Sequence, residues 1–430
     1  MSAPDLALVA ALIFAWGALS ARLERSDLTA PIIFTAAGLL LTHGPLAALS
    51  ISPGPETVRG LAEATLVLVL FADAARIDPR RLSADWKLYA RLLGAGLPLT
   101  IGLGSLLAFV LLAHVDIWLA LLIGAALAPT DAALGAGVIV NPLVPERIRR
   151  LINVESGLND GIATPFVTLA LAGAATAEQA ASPTPLAAAG KLVIGLLAGA
   201  VVGGAGGLLV RLARRRGWAA AEFSGPAVLA LAACAYASSL ALHGNGFIAA
   251  FTGGLAFGGM AGQRGGQLVP FVEDTGGLVS LLVWLAFGAV AVVPAFSGLS
   301  WQVAFYAVLS VTIIRMVPVA LALAGSGLGG AARAFIGWFG PRGLASVVFG
   351  LLALEELGKA AARPALSAIG VTVVLSVIAH GITAEPLAKR YGPRLSPVPP
   401  GAGAPAAPEV PTRRLNRKAS PAGPTGAGTP

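Results

Sequence analysis

Long apolar runs separated by short polar segments dominate the chain from its N-terminus to about residue 390. A helix needs about 20 mostly apolar residues to cross a bilayer, and the second and ninth of these runs are shorter and rich in glycine. The pattern predicts thirteen spanning helices near residues 5–21, 29–42, 60–75, 89–113, 117–140, 150–172, 186–210, 226–242, 246–260, 270–293, 301–324, 333–356 and 364–388.

The composition is that of a membrane protein. Of the 430 residues, 56% are hydrophobic and 12% are charged, and the mean hydropathy is +0.82. Soluble globular chains carry about 25% charged residues, so soluble enzymes, secreted domains and disordered proteins are excluded as the main class. The single cysteine, Cys234, excludes a disulfide framework and a multi-cysteine metal site. The sequence predicts an all-α polytopic membrane protein.

Basic residues indicate the topology of the predicted spans. A net charge of +8 in a soluble domain would suggest nucleic acid, but in a membrane protein basic residues collect in cytoplasmic loops. With the N-terminus outside, most of the 29 lysines and arginines fall in cytoplasmic loops or in the C-terminal tail. We expect a multi-pass protein of the inner (cytoplasmic) membrane, with lipid around it, a cytoplasmic C-terminus and no nucleic-acid partner.

The last part of the chain, residues 393–430, is rich in proline, alanine and glycine. Such a segment has too little apolar area to offset the entropy of ordering. We predict that it forms a disordered cytoplasmic tail after a transmembrane domain covering residues 1–392. Its basic cluster could contact anionic lipid, although a solvated linker explains it more simply.

The four histidines lie near the ends of predicted spans and are too scattered for a zinc site. A position at the membrane interface explains them more simply than pH sensing does. They are His43, His114, His243 and His380.

Two predicted spans contain a helix break with a charged residue at its centre. Span five has Pro129, Thr130 and Asp131 near its middle, and span twelve has glycines and Pro341 around Arg342. Proline interrupts helical hydrogen bonding, and freed carbonyls at membrane depth persist only beside protein or a water-filled cavity. Simple kinks would not place a charge at each break. Paired interruptions in two halves are typical of inverted-repeat transporters with the ion site between them.

The sixth predicted span carries many polar side chains for a membrane helix. Glu155 and Asn159 share one face, Ser156 and Asp160 share a neighbouring one, and all four lie within two turns. Their oxygen atoms suit a small hydrated cation, and a carboxylate in a low-dielectric cavity can exchange a proton for a metal ion. A structural ion pair with a buried arginine would account for one of the two acids but not for both.

These motifs resemble those of one transporter family. NVESGLNDGIATPF in span six, APTDAAL before it and GPRG after it are similar to motifs of the monovalent cation:proton antiporter-1 family, the bacterial sodium/proton antiporters and their eukaryotic exchanger relatives. The resemblance covers roughly residues 5–390. It implies the sodium/proton antiporter fold, an inverted repeat with discontinuous crossing helices. It also implies exchange of a monovalent cation, by preference Na+, for H+, with no cofactor and no enzymatic reaction.

The resemblance implies roles for the residues of the ion site. Asp160 corresponds to the carboxylate that binds either the cation or the proton, and Thr130, Ser156 and Asp73 correspond to further ligands of the monovalent cation. Whether Asp73 reaches the ion as a longer glutamate would is left open. Asn159 occupies a position that is aspartate in electrogenic relatives, which implies electroneutral one-for-one exchange.

Four further charged residues receive structural roles from the resemblance. Asp131 and Arg342 resemble charges that compensate half-helix dipoles at the crossing. Glu155 and Arg315 resemble a structural ion pair of the family.

The resemblance also divides the transmembrane domain into two parts. Residues 5–75 and 186–293 would form a scaffold at the interface of a homodimer. Residues 89–172 and 301–388 would form a bundle that carries the ion by elevator-type alternating access.

Several alternatives remain at this stage. The cation could be K+ or Li+, or the stoichiometry could differ, because selectivity depends on fine ligand geometry. An intramembrane aspartyl protease would also place aspartates such as Asp131 and Asp160 on separate spans, but the chain lacks a GxGD element and Arg342 is left unexplained. A channel needs a pore open to both sides, which fits internal halves around a central carboxylate less well than alternating access does.

Overall fold

A computed structural model describes most of the chain as helix. The described residues are 3–23, 28–43, 55–77, 85–131, 134, 136–139, 141–177, 185–262 and 265–395. Within these ranges the regular structure consists of α-helices with short 3-10 and π-helical turns, and no β-strand is present. The last helix continues to Leu395, slightly beyond the predicted domain boundary. The remaining part of the predicted tail, residues 396–430, lies outside the described residues.

The first half of the fold contains the helices that correspond to predicted spans one to six. They are α1 (Ala3–Leu23), α2 (Ala30–His43), α3 (Pro55–Ala75), α4 (Trp86–Leu111, with a π-helical turn), α5 (Ile117–Leu127), α6 (Ala136–Ile139) and α7 (Glu146–Ala177).

The second half contains the helices that correspond to spans seven to thirteen. They are α8 (Pro185–Arg215), α9 (Ala221–Ala241), α10 (Gly246–Ala261), α11 (Val269–Ala286, continued as Phe287–Ala291 and Val292–Ser297), α12 (Trp301–Val311), α13 (Ile313–Ala322), α14 (Gly330–Trp338), α15 (344–357) and α16 (359–395).

Each predicted span therefore overlaps a helix, but three spans are divided. Span five stops being helical after Leu127, and span twelve is interrupted between Trp338 and Leu344. Span eleven is divided at Thr312, whose backbone angles (φ −113°, ψ −93°) are not helical. The apolar pattern does not predict this last break, because neither glycine nor proline marks it. At the other end of α15, Gly358 (φ +76°) separates α15 from α16 in a conformation that favours glycine.

Close contacts at glycine hold α10 between α3 and α8. A Cβ atom at Gly203 of α8 would overlap the carbonyl oxygen of Gly253 in α10, and a Cβ at Gly254 would overlap the carbonyl oxygen of Phe71 in α3. Lipid chains are as apolar as the side chains, so membrane helices associate largely through such close backbone packing. The short helix α10 is therefore fixed by its neighbours.

We expect Gly203→Ala to destabilise the protein and Gly204→Ala to leave its stability unchanged or slightly higher. Both changes add a methyl group to α8 and improve helix propensity by up to about 1 kcal/mol. At Gly203 the methyl group meets the backbone of Gly253, and overpacking of this kind costs about 1–3 kcal/mol. The nearest atom at Gly204 is the Cβ of Ala256, 4.0 Å away. Thermal unfolding in detergent measures the difference, and equal unfolding temperatures would contradict the packing.

Candidate ion-binding site

The interrupted parts of spans five and twelve cross each other. After α5, the extended segment through Pro129 brings the backbone N–H of Asp131 to 2.8 Å from the carbonyl oxygen of Pro341, to which it donates a hydrogen bond. The Asp131 carboxylate in turn accepts a hydrogen bond of 3.1 Å from the backbone N–H of Leu344, at the start of α15. A negative charge at a helix N-terminus opposes the positive end of the helix dipole. Asp131 therefore joins the two segments and caps α15.

Glycine makes this crossing possible. A Cβ atom at Gly343 would overlap the Asp131 side chain. A Cβ at Gly340 would overlap the Arg315 guanidinium and lie 2.8 Å from the Cγ2 of Thr130. The glycines around Arg342, which the sequence marks as a helix break, thus also provide the space in which the two segments meet.

Arg342 is fully buried at the crossing and its guanidinium donates to backbone carbonyls. One nitrogen lies 2.6 Å from the carbonyl oxygen of Gly340, and the other lies 2.8 Å from that of Ser310, near the end of α12. Its backbone N–H donates to the Oγ of Ser376, at 2.8 Å. The last carbonyls of a helix lack partners within that helix and carry partial negative charge. Arg342 therefore satisfies acceptors that the breaks expose.

Glu155 and Arg315 form a buried ion pair between α7 and α13. The two guanidinium nitrogens donate to the two carboxylate oxygens at 2.8 and 2.9 Å. Both side chains are at most 3% exposed. A two-point contact of planar groups is the strongest geometry for this kind of pair. Both carboxylate oxygens of Glu155 are therefore hydrogen-bonded to Arg315 of α13.

Three residues of the predicted site form a buried hydrogen-bonded cluster. The Thr130 hydroxyl lies 2.9 Å from the Ser156 hydroxyl, and the Asn159 amide nitrogen donates to the same Thr130 oxygen at 2.8 Å. Asp160, the next residue of α7, is also buried, and its backbone carbonyl accepts a hydrogen bond of 2.7 Å from the Thr164 hydroxyl. The unwound part of span five is therefore attached directly to the polar face of span six.

Two other helices reach α7 at the same level. Asp73 of α3 packs against Gly157, since a Cβ there would lie 3.6 Å from the Cβ of Asp73. The ring of Phe251, on α10, lies so close to Gly161 that a Cβ at that glycine would overlap it. Asp73 is thus placed beside the turn that carries Ser156 and Asp160.

The structure brings the nine predicted site residues into one region with different partners. Thr130, Ser156 and Asn159 form the hydrogen-bonded cluster, Asp160 follows Asn159 on α7, and Asp73 packs against the same helix at Gly157. The four charged residues lie at the crossing or in the ion pair. In the part of the chain that the structure describes, no group of three or more His, Cys, Asp or Glu side chains is placed to hold a metal ion. The oxygen-bearing side chains of this region include the hydroxyls of Thr130 and Ser156 and the carboxylates of Asp160 and Asp73.

Sequence reasoning missed Phe251 and Ser376. Phe251 lies in the GFIAAFTGGLAFG segment of span nine, where nothing distinguishes it from lipid-facing phenylalanines. Ser376 lies in an apolar run of span thirteen, and a single hydroxyl in such a run carries little signal. Only the helix packing shows that the Phe251 ring covers Gly161 and that the Ser376 hydroxyl accepts a hydrogen bond from the backbone N–H of Arg342.

Comparison with known proteins identifies the family of this chain. A family model described as the transmembrane sodium/hydrogen exchanger matches residues 8–390. The chain belongs to the sodium/hydrogen exchanger family. This match confirms the predicted cation:proton antiporter family and a multi-pass membrane protein. It also identifies the chain as a transporter and not an enzyme, which removes support from the protease alternative.

Solved structures of a sodium/hydrogen exchanger relative confirm the predicted fold class. The sodium proton antiporter MjNhaP1 from Methanocaldococcus jannaschii at pH 8 matches with a TM-score of 0.71 and 20% identity, covering 90% of this chain and 98% of that chain. A second MjNhaP1 structure, from electron microscopy, matches with a TM-score of 0.68 and 21% identity, covering 91% of this chain and 98% of that chain.

Curated relatives match over a shorter region. Uncharacterized Na+/H+ exchangers of Mycobacterium bovis and Mycobacterium tuberculosis are 40% identical to this chain over 101 residues. The aligned region is 23% of this chain and 17% of the length of those relatives.

We expect loss of either partner of the Glu155–Arg315 pair to destabilise this exchanger-family protein strongly. Glu155→Gln or Arg315→Gln alone leaves an uncompensated buried charge, which costs about 3–5 kcal/mol, whereas the double replacement recovers part of that loss. The measurement is a double-mutant cycle of thermal unfolding in detergent.

The exposed pair Glu385–Lys389, at 2.6 Å and more than half exposed, provides the control. Its single variants should lose less than about 1 kcal/mol. Strictly additive losses at Glu155 and Arg315 would contradict a strong coupling between the two buried side chains.

Proposed function

We propose that this protein is a secondary active antiporter that exchanges a monovalent cation, Na+, for H+. The observation that carries the proposal is the buried cluster of Thr130, Ser156 and Asn159 at the crossing of two interrupted spans, with the buried carboxylate of Asp160 on the next residue of α7. Interrupted spans from two halves of a transporter, with polar groups at the bilayer midplane, are the usual setting of an ion site. Membership of the sodium/hydrogen exchanger family supports the same activity.

In this proposal, Asp160 binds either a proton or the cation, and never both at once. Thr130 and Ser156 supply hydroxyl oxygens, and Asp73 approaches from α3 as a further carboxylate. Oxygen ligands of this kind suit a hard monovalent cation. Because the two ions compete for one carboxylate, the loaded site carries one of them in each direction and exchange follows.

We further propose elevator-type alternating access in a homodimer. Residues 89–172 and 301–388 form the moving bundle, and residues 5–75 and 186–293 form the scaffold at the dimer interface. The crossing, Arg342 and the Glu155–Arg315 pair all join parts of the bundle to each other. Those contacts would move together with the ion, past the stationary scaffold residues Asp73 and Phe251.

We place the antiporter in the cytoplasmic membrane, with the N-terminus outside and the C-terminus inside. The distribution of basic residues supports this orientation, because short cytoplasmic loops retain lysine and arginine.

One-for-one coupling is the stoichiometry that the site favours. The Asn159 amide donates a hydrogen bond to the Thr130 hydroxyl, and an amide neither gains nor loses a proton. Glu155, the other buried acid of α7, has both carboxylate oxygens bonded to Arg315. Asp160 is then the one buried carboxylate of α7 that alternates between proton and cation, and the loaded bundle has the same charge in both directions.

We expect Asp160→Asn to reduce cation-dependent proton flux in proteoliposomes to the level of protein-free liposomes. The amide has the size of the carboxylate but neither ionises nor carries the proton. The matched control is Asp274→Asn, on an exposed position of α11, which should retain wild-type flux. Gel filtration and thermal unfolding establish that both variants are folded. Retained flux in folded Asp160→Asn protein would remove Asp160 from the mechanism.

We expect the final Na+ and proton gradients to be independent of membrane voltage. A potential is imposed with potassium and valinomycin, after flux assays with Na+, Li+ and K+ separately have shown that K+ is not transported. A one-for-one exchanger moves no net charge, so its end point does not shift. A voltage-driven shift in the wild-type protein would refute one-for-one coupling. Asn159→Asp, which adds a second titrating group beside Asp160, tests whether the assay detects a change in coupling.

A further inference from the structure

His380 is a buried titratable residue to which the proposed ion exchange assigns no role. It is 1% exposed on α16, whereas His43, His114 and His243 are exposed. His380 is therefore packed inside the fold, which its position near the end of a predicted span does not indicate. The reason is that α16 places this residue against α14, inside the fold, where its ring stacks on Trp338 with 5.3 Å between ring centres.

Both imidazole nitrogens of His380 lie within hydrogen-bond distance of backbone carbonyl oxygens. Nε2 is 2.7 Å from the carbonyl oxygen of Trp338, and Nδ1 is 2.8 Å from that of Ser376. A neutral imidazole has one N–H group and one lone pair, and the imidazolium has two N–H groups. Only the protonated ring can donate to both carbonyls. In the neutral form one nitrogen lone pair faces a carbonyl oxygen, unless the Ser376 hydroxyl, 3.2 Å from Nδ1, turns its proton toward the ring.

These contacts connect His380 to the end of α14 and to the interrupted segment of span twelve. Trp338 is the last residue of α14, and its carbonyl oxygen also accepts a hydrogen bond of 2.8 Å from the backbone N–H of Gly340. The Trp338 indole N–H donates to Thr383 of α16, at 3.0 Å. Within the interrupted segment, the backbone N–H of Arg342 donates to the Ser376 hydroxyl. The protonation state of one ring therefore acts on the end of α14 and, through Ser376, on the segment that crosses span five.

The electrostatic surroundings of the ring contain opposing influences. Burial of the ring opposes a positive charge most strongly, the two carbonyl contacts favour it, and the guanidinium groups of Arg342 and Arg315 oppose it. Arg342 lies in the crossing segment, and Arg315 lies on α13, where it pairs with Glu155 of α7. On α14 and α16, the charged residues nearest in sequence to Trp338 and His380 are Arg333, Arg363 and Glu385, which pairs with Lys389.

We propose that His380 is a positioning residue whose protonation holds the end of α14 and the adjoining crossing segment in the geometry of the crossing. It thereby adds to exchange a pH dependence separate from proton binding at Asp160. The inference rests on the proposed antiport function. The two-carbonyl contact is complete at low pH, where the ring is charged, and is lost as the pH rises and the ring becomes neutral.

His380→Gln separates this role from a purely structural one. Glutamine can donate to the Trp338 carbonyl but cannot take up a proton, so it resembles neutral histidine at every pH. We expect the ratio of wild-type to variant exchange rate to be about tenfold at about pH 5.5, the effect of one charged hydrogen bond. The ratio should approach one at about pH 8.5. Proton binding at Asp160 is common to both proteins and cancels in the ratio. A ratio that does not vary with pH would overturn the proposal, as would the same pH-dependent ratio for the exposed control His43→Gln.

A second measurement does not depend on transport. In a His43→Gln, His114→Gln, His243→Gln protein labelled with nitrogen-15 at histidine, the remaining signal reports the protonation of His380 by NMR. We expect the imidazolium signal at about pH 5.5 and its loss by about pH 8.5. A ring that stays neutral, or stays charged, over that range would refute the proposal. Absence of exchange in the wild-type protein, together with a normal histidine titration, would instead refute the antiport function.

Discussion

Backbone polar groups at membrane depth have no water to bond, and every break in a spanning helix must supply partners for the groups that it frees. This constraint organises the centre of the molecule. The N-terminus of α15 is capped by Asp131 from the opposite half, and carbonyls near the ends of α12 and α14 accept from Arg342. The two breaks satisfy each other, so neither half can form its broken span without the other.

The polar cluster depends on that crossing. Because span five unwinds at Pro129, the Thr130 side chain turns toward α7 and meets Ser156 and Asn159. In a continuous helix the Thr130 hydroxyl would bond to its own preceding turn, as do the Thr65 and Thr100 hydroxyls. The interruption therefore creates acceptors that need charge compensation, and it also frees the Thr130 hydroxyl, which the proposed function uses as an ion ligand.

The buried arginines explain how carboxylates on neighbouring turns of α7 can differ in role. Glu155 lies in a two-point contact with Arg315, which uses both of its oxygens in a structural link to α13. Asp160 lies about one turn further along α7, directly after Asn159, and Asp73 contacts the intervening Gly157. In the proposed function, two acids of one helix therefore have different roles, Glu155 in packing and Asp160 in ion binding.

The amino-acid sequence by itself determined that the chain is a helical membrane protein, the approximate position of each span, and two of the breaks. Apolar length, proline and glycine are local properties that report on the membrane directly. The charges within spans also indicated a site, since burying them in lipid is unfavourable without a partner. Tertiary structure alone decided the partners. The break at Thr312, the contact of Ser376 with Arg342 and the burial of His380 arise where helices distant in sequence pack together, and no local pattern encodes those neighbours.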